Sequence, residues 1–330
     1  MGDAVTSQGR ELVLVLGPGR SGTSTMAGAL ARTGFQVPDA LDGDDSNPTG
    51  FYEPAWAVDF HTRLLERVCV HTLDGDPAAY DELAKVLADP EPGAELTDWL
   101  ATELAAHPRL VIKDPRLVWF RDLWVTAAQS AGVSPAFVVM LRHPAEVSSS
   151  RSEFYDAPQG TAVAGWINVV LLTERLTRGS RRAFVTYADL LTDWRPVLST
   201  MSARLDLHLD PAPDVSTHPI DEFIDPELRR REPDWSALAV PASLQDLGDR
   251  TYATITELAS AGDQDSTRAA LDALAEEYAH VHADAVAIAH AHWRRKVRRA
   301  RRAGVRAGEE RAASEAPAAS KWSWRRGRSR

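Results

Sequence analysis

Residues 11–24 read ELVLVLGPGRSGTS, which combines a short apolar strand, a glycine-rich turn and the first residues of a helix. Backbone N–H groups at such a corner point outward, and the positive end of the helix dipole attracts anions. The segment therefore predicts a phosphate-binding loop. Walker A loops place a lysine directly after their last glycine, whereas Gly22 is followed by Thr23 and the cation in this loop is Arg20. The loop thus favours phosphate binding without ordinary ATP hydrolysis.

The composition is typical of a soluble globular chain. The 330 residues are 44% hydrophobic, which suffices for one large core or for a core with a helical extension. No apolar stretch approaches the length of a membrane span, and the first ten residues lack a signal-peptide pattern. Cys69 is the one cysteine, which rules out an intrachain disulfide and fits a reducing compartment. We therefore expect a cytoplasmic protein.

Charge is divided unevenly along the chain. Residues 291–330 hold 14 of the 37 basic and 3 of the 47 acidic residues, so residues 1–290 hold 23 basic and 44 acidic ones. An acidic body does not favour nucleic-acid binding, because contacts to phosphates dominate that affinity. The basic run 293–306 is a candidate for peripheral contact with an anionic membrane at its inner face. A solvated or self-docking helix is the simpler alternative.

Apolar runs and helical patterns alternate along the first 190 residues. The apolar runs predict buried strands at 11–16, 109–112, 135–141 and 183–187. Helical patterns lie at 22–33, about 55–69, about 78–88, 95–106, 120–131, 144–154 and 161–178. Strands that alternate with helices form parallel βαβ units. The predicted fold is α/β, with three α/β/α layers, a central parallel sheet, a P-loop-like phosphate-binding loop and a C-terminal helical extension.

Four segments are predicted along the chain. They are a flexible N-terminus at 1–10, the α/β domain at 11–235, a helical extension with a basic end at 236–307, and a disordered basic tail at 308–330. Apolar residues spaced by three and four indicate a long helix from about residue 266. This heptad-like seam either pairs two chains in a homodimer or packs on the acidic body.

A second anion-binding signal follows the strand at 135–141. Arg142 stands at the C-terminal end of that strand, where parallel sheets bind ligands, and Ser150 lies about two helical turns later. The two side chains can converge on one phosphate. Alternatively, Arg142 pairs with Glu146 and Ser150 is an ordinary helix serine.

Together these elements resemble the sulfotransferases that use 3′-phosphoadenosine 5′-phosphosulfate (PAPS). Gly19-Arg-Ser-Gly-Thr-Ser24 is similar to the family's 5′-phosphosulfate loop, and Arg142 with Ser150 is similar to its 3′-phosphate element. Three further similar segments follow the family's order: Asn47-Pro-Thr-Gly-Phe-Tyr-Glu53, Lys113-Asp-Pro-Arg116 and Thr186-Tyr-Ala-Asp-Leu-Leu191. The Asn-Pro-x-Gly and Lys-Asp-Pro motifs resemble the bacterial carbohydrate-type and protein-tyrosine-type branches. The resemblance covers about residues 11–230.

The resemblance implies a role for each matched residue. It implies that PAPS, and its product PAP, are held by Gly19, Arg20, Ser21, Gly22, Thr23, Ser24, Arg142, Ser150, Tyr187 and Arg230. Arg20 and Lys113 are expected to stabilise charge during the transfer, and Glu53 to take the proton of the acceptor hydroxyl. His61 and Asp114 are the alternative bases. This scheme requires no metal.

The expected reaction is in-line transfer of a sulfuryl group to a hydroxyl of a carbohydrate, glycolipid or other small molecule. One rival is a phosphate-loop kinase or NTPase, but that class needs a lysine after Gly22. A second rival is an inactive nucleotide-binding adapter that docks through its basic C-terminal helix. The resemblance does not distinguish which of these hydroxyl compounds is the acceptor.

Overall fold

The computed structural model describes residues 9–45, 47–154, 158–225 and 233–315. The chain divides into two compact units, Met1–Ala279 and His280–Arg330. The strands are β1 Glu11–Leu16, β2 Arg109–Lys113, β3 Ala136–Leu141 and β4 Arg182–Thr186. The helices are α1 Thr23–Ala31, α2 Ala55–Glu66, α3 Ala79–Leu87, α4 Pro90–Ala106, α5 Arg121–Ser130, α6 Pro144–Phe154, α7 Gln159–Thr177, α8 Tyr187–Thr192, α9 Trp194–Leu205, α10 Ala242–Ser260 and α11 Asp265–Glu315, with a 3₁₀ helix at Leu117–Phe120.

The four strands form one parallel sheet in the order β2-β1-β3-β4. Val13 of β1 pairs with Val111 of β2 on one side and with Ala136 of β3 on the other. The chain therefore passes from one side of β1 to the other between β2 and β3. In open α/β sheets the crevice at such a switch point, beyond the carboxyl ends of the strands, is where ligands bind.

Alternate residues of each strand face two separate helical layers. Leu12, Leu14 and Leu16 pack in one core with side chains of α2, α4, α5, α7 and α10. Val13 and Val15 pack in a second core with side chains of α1, α8 and α9. Both faces of the sheet are buried, which explains why the strands are continuous apolar runs. The predicted three-layer α/β/α fold class is confirmed.

The predicted strands agree with the structure within one residue at either end. The helices between them also agree, although α4 begins at Pro90, five residues before its predicted start. The sequence analysis placed residues 242–260 in the helical extension but gave no bounds for α10, because they contain few large apolar residues and an interior glycine, Gly248. This helix packs against α7 and β4, so it is part of the first unit.

The long helix α11 begins at Asp265, as its apolar spacing predicts, and ends at Glu315. Within the first unit its buried side chains include Leu271, Leu274 and Tyr278. In the second unit Ile288 is 74% exposed, and the homodimer through this seam stays a prediction. The helix includes residues 308–315, which the sequence analysis assigned to the tail. Among the residues that the structure describes, no helix is long and apolar enough to span a bilayer.

Candidate functional site

The glycine-rich loop leaves the carboxyl end of β1 and enters α1 at Thr23. Gly22, directly before the helix, has a φ of 85°, and a Cβ at this position would lie 2.1 Å from Cδ2 of Tyr187. Both the backbone conformation and the close approach of Tyr187 therefore require glycine. No side chain caps α1, and its first turn has no acidic residue. Gly22 thus offers no side-chain acceptor to the first N–H groups of α1, which suits them to an anion.

A cavity of about 270 Å³ lies over this loop, beyond the carboxyl ends of β1, β2 and β3. The predicted site residues that line it are Gly19, Arg20, Gly22, Thr23, Ser24, Glu53, Lys113, Arg142, Ser150 and Tyr187. Ser21 does not line it: its side chain is fully buried, and its backbone N–H donates to the carbonyl oxygen of Pro18 over 3.1 Å. Arg230 lies outside the described residues. The fold thus brings together residues that are up to 168 positions apart, from Gly19 to Tyr187.

Arg20 joins the loop to the second anion-binding element. Its Nε donates to Oγ of Ser150 over 3.0 Å, and its guanidinium lies 4.8 Å from the ring centroid of Phe154. Nη1 of Arg142 donates to the carbonyl oxygen of Arg20 over 3.1 Å. The two elements that the sequence analysis treated separately are therefore in direct contact.

Arg142 is held in place from several sides. Its Nε donates to Oε2 of Glu146 over 2.7 Å, and the indole Nε1 of Trp166 donates to its carbonyl oxygen over 3.1 Å. Its guanidinium lies 4.9 Å from the ring centroid of Tyr187, and burial raises the pKa of that phenol. Arg142 therefore forms the predicted alternative pair with Glu146, and it also lines the cavity.

Lys113 brings a positive charge from β2 to the loop. Its Nζ donates to Oγ of Ser24 over 3.1 Å, to the carbonyl oxygen of Phe51 over 3.3 Å, and to Oε1 of Glu53. Nδ2 of Asn47 also donates to Oγ of Ser24, over 3.1 Å. A cation thus reaches the first turn of α1 from the neighbouring strand, whereas a Walker A loop supplies its lysine from within the loop.

The two alternative bases lie outside the cavity lining, in a buried network. Nε1 of Trp124 donates to Nε2 of His61 over 2.9 Å, so Nδ1 of His61 carries the proton and donates to Oδ2 of Asp114 over 2.8 Å. Burial raises the pKa of Asp114, but the His61 hydrogen bond and the Arg116 guanidinium outweigh it and hold that pKa below its ordinary value. Both ring nitrogens of His61 are occupied, so the geometry favours Glu53, the candidate that lines the cavity.

Several lining residues were not predicted as site residues. Asn47 was quoted as part of a motif only, and Glu153 and Phe154 were not considered. Glu153 and Phe154 follow Ser150 on α6 by three and four positions, respectively, so they share its helix face. That spacing is a signal from which they could have been predicted. In the part of the chain that the structure describes, no group of three or more His, Cys, Asp or Glu side chains could hold a metal ion.

No protein-family model matches the chain, and no curated protein matches it. One similar solved structure is the sulfotransferase domain from the Synechococcus PCC 7002 olefin synthase, with 19% identity, a TM-score of 0.45, and coverage of 75% of this chain and 94% of that one. A second is the sulfotransferase domain from the curacin biosynthetic pathway, with 15% identity, a TM-score of 0.42, and coverage of 75% and 98%. A third is sulfotransferase STF1 from Mycobacterium tuberculosis H37Rv, with 15% identity, a TM-score of 0.36, and coverage of 66% and 75%.

Proposed function

We propose that this chain is a sulfotransferase that moves the sulfuryl group of PAPS to a hydroxyl of a carbohydrate, glycolipid or other small molecule. One observation carries the proposal: a single cavity holds an uncapped helix N-terminus, the Arg142/Ser150 pair and a lysine supplied by β2. A donor with phosphate groups at both its 5′ and 3′ positions needs two anion sites at one edge of a sheet. The motif resemblance to PAPS-dependent enzymes supports the same donor.

The groups that line the cavity suit PAPS chemically. The first turn of α1 offers backbone N–H donors and the hydroxyls of Thr23 and Ser24 to the 5′-phosphosulfate, and Arg20 adds a guanidinium beside them. Arg142 and Ser150 would hold the 3′-phosphate. Arg142 is oriented by Glu146 before any ligand binds, so less side-chain freedom is lost on binding.

The proposed reaction uses two side chains that are paired in this structure. Bound PAPS supplies a sulfuryl group whose S–O bond to the 5′-phosphate breaks while the acceptor oxygen bonds to sulfur. Lys113 places positive charge where the leaving phosphate oxygen becomes negative, and Glu53 accepts the proton of the acceptor hydroxyl. A general base of this kind contributes about 10²–10⁴-fold. Positioning and charge stabilisation by the loop account for the remaining acceleration.

The position of the lysine also separates this proposal from the kinase or NTPase alternative. In that class the lysine follows the last glycine of the loop, where this chain has Thr23. Here the lysine lies on β2 and forms an ion pair with Glu53, which places a cation and a candidate base together. This pairing suits the transfer of a group to a hydroxyl and gives an adapter no evident advantage.

Nucleotide-dependent thermal stabilisation tests the proposal. PAP at 100 times its dissociation constant should raise the free energy of unfolding by about 2.7 kcal/mol. Stabilisation by Mg-ATP, with none by PAP, would instead favour the kinase alternative. Incubation with labelled PAPS and a metabolite extract, followed by mass spectrometry, should then identify the sulfated acceptor. PAP binding with no transfer to any acceptor would favour the adapter.

A further inference from the structure

The two carboxylate oxygens of Glu53 face two different cations. Oε1 accepts from Nζ of Lys113, whereas Oε2 lies 4.0 Å from Nη1 of Arg116. The Glu53 side chain is only 11% exposed. Among the described residues, Lys113 and Arg116 are the cations within ion-pair distance of this carboxylate. The first is a direct partner, and the second is about 1 Å too far for a charge-assisted hydrogen bond.

Arg116 is fixed by a buried chain of hydrogen bonds. Its Nη1 donates to Oδ1 of Asp114 over 2.8 Å, and its backbone N–H donates to the same oxygen over 2.9 Å. Oδ2 of Asp114 accepts from His61, which is held in turn by the indole of Trp124. The ring of His61 also stacks on Phe120, with centroids 4.5 Å apart. The guanidinium of Arg116 is therefore anchored on its Asp114 side and lies next to Glu53 on the other.

Donor binding changes what Lys113 can do for Glu53. An ammonium group has three donors, and here all three have acceptors, on Ser24, Phe51 and Glu53. A bound 5′-phosphate is a second anionic partner for this ammonium, so Glu53 then shares its cation with the donor. Glu53 would then be a nearly buried carboxylate whose charge Lys113 compensates only in part. A buried carboxylate is costly to keep ionised without full charge compensation, and a protonated carboxyl cannot act as a base.

We infer that Arg116 is a positioning residue that supports the Glu53 carboxylate when Lys113 is shared with the donor phosphate. A shift of about 1 Å brings Nη1 within hydrogen-bond distance of Oε2. Because a guanidinium stays charged at all relevant pH values, it keeps Glu53 ionised while Lys113 is shared. The inference rests on the proposed function, since it requires an anionic nucleotide in the cavity.

Proton uptake on PAP binding measures this support without an acceptor. PAP retains the 5′-phosphate oxygen that leaves in the proposed reaction, and titration calorimetry in buffers of different ionisation enthalpy gives the protons taken up. The neutral variant Arg116→Gln can still donate to Asp114, so the buried network should persist. We expect this variant to take up about one more proton per PAP than the wild type does at neutral pH. Above neutral pH, its PAP affinity should weaken by up to about tenfold per pH unit relative to that of the wild type.

Three further variants make the experiment specific. Adding Glu53→Gln to Arg116→Gln should remove the extra proton, and Arg116→Lys should restore the wild-type value. Arg63→Met is the matched control, because the ion pairs of Arg63, with Asp59 and Glu95, are exposed and lie outside the cavity lining. It should behave as the wild type does.

Two results would overturn the inference while the proposed function stands. One is PAP binding by Arg116→Gln with wild-type proton uptake. The other is a decrease in proton uptake when Glu53→Gln is introduced alone. This substitution should leave proton uptake unchanged, and a decrease would mean that Glu53 takes up a proton although Arg116 is present. Failure of the wild type to bind PAP would overturn the proposed function, and this inference with it.

Discussion

Replacing Arg142 with methionine removes a guanidinium that serves both the fold and the proposed 3′-phosphate site. Within the fold, its Nε lies 2.7 Å from Oε2 of Glu146, and the two side chains are 10% and 5% exposed. Loss of one member breaks this buried ion pair, which costs about 3–5 kcal/mol of stability. The double variant Arg142→Met/Glu146→Gln removes both charges. We therefore expect it to recover most of that loss in thermal or denaturant unfolding.

Nucleotide affinity separates the second role of Arg142 from the first. A hydrogen bond to a charged group contributes about 1.5–3 kcal/mol, so PAP should bind about 10- to 150-fold more weakly to the single variant. The same loss should persist in the double variant, although its stability is recovered. Adenosine 5′-phosphate lacks the 3′-phosphate, so its affinity should not change.

Calorimetric titration of the single and double variants with both nucleotides tests this reasoning. Equal losses for PAP and adenosine 5′-phosphate would show that Arg142 acts only through the fold. Recovery of PAP affinity in the double variant would lead to the same conclusion. Either result would refute the assignment of the 3′-phosphate to Arg142.

Three other predictions concern the loop, the base and the basic tail. In thermal unfolding, Gly22→Ala should lower stability by about 1–2 kcal/mol for its left-handed backbone and by about 1–3 kcal/mol for the clash with Tyr187. Gly132 has a φ of 73° and nothing within 4 Å of an added Cβ, so Gly132→Ala should show only the backbone cost. Glu53→Gln should lower turnover about 10²–10⁴-fold while PAP still binds; full turnover would point to another base. Deleting residues 293–330 removes 14 basic residues. The shortened chain should still bind PAP but should no longer sediment with phosphatidylserine vesicles. Retained sedimentation would exclude this segment as the membrane contact.

Local patterns were sufficient to predict most of the fold. The strands are apolar runs because both faces of the sheet are buried, and the loop at 17–22 is marked by its glycines. Arg142 and Ser150 could be matched because a helix relates residues eight positions apart by a fixed geometry. The bounds of α10 could not be predicted in this way, because its apolar pattern is weak and packing on β4 and α7 stabilises it.

The contacts that define the site could not be read from any one segment. Arg20 contacts Ser150, which is 130 positions away in the sequence, and Lys113 contacts Glu53, which is 60 positions away. These contacts form because the carboxyl ends of parallel strands lie at one edge of the sheet. The same packing places His61 in a buried network with Trp124 and Asp114, away from the cavity. Backbone preferences depend on neighbours along the chain, so the sequence determines them. Side-chain contacts depend on how the layers pack, so only the folded chain pairs the candidate base Glu53 with the cation Lys113.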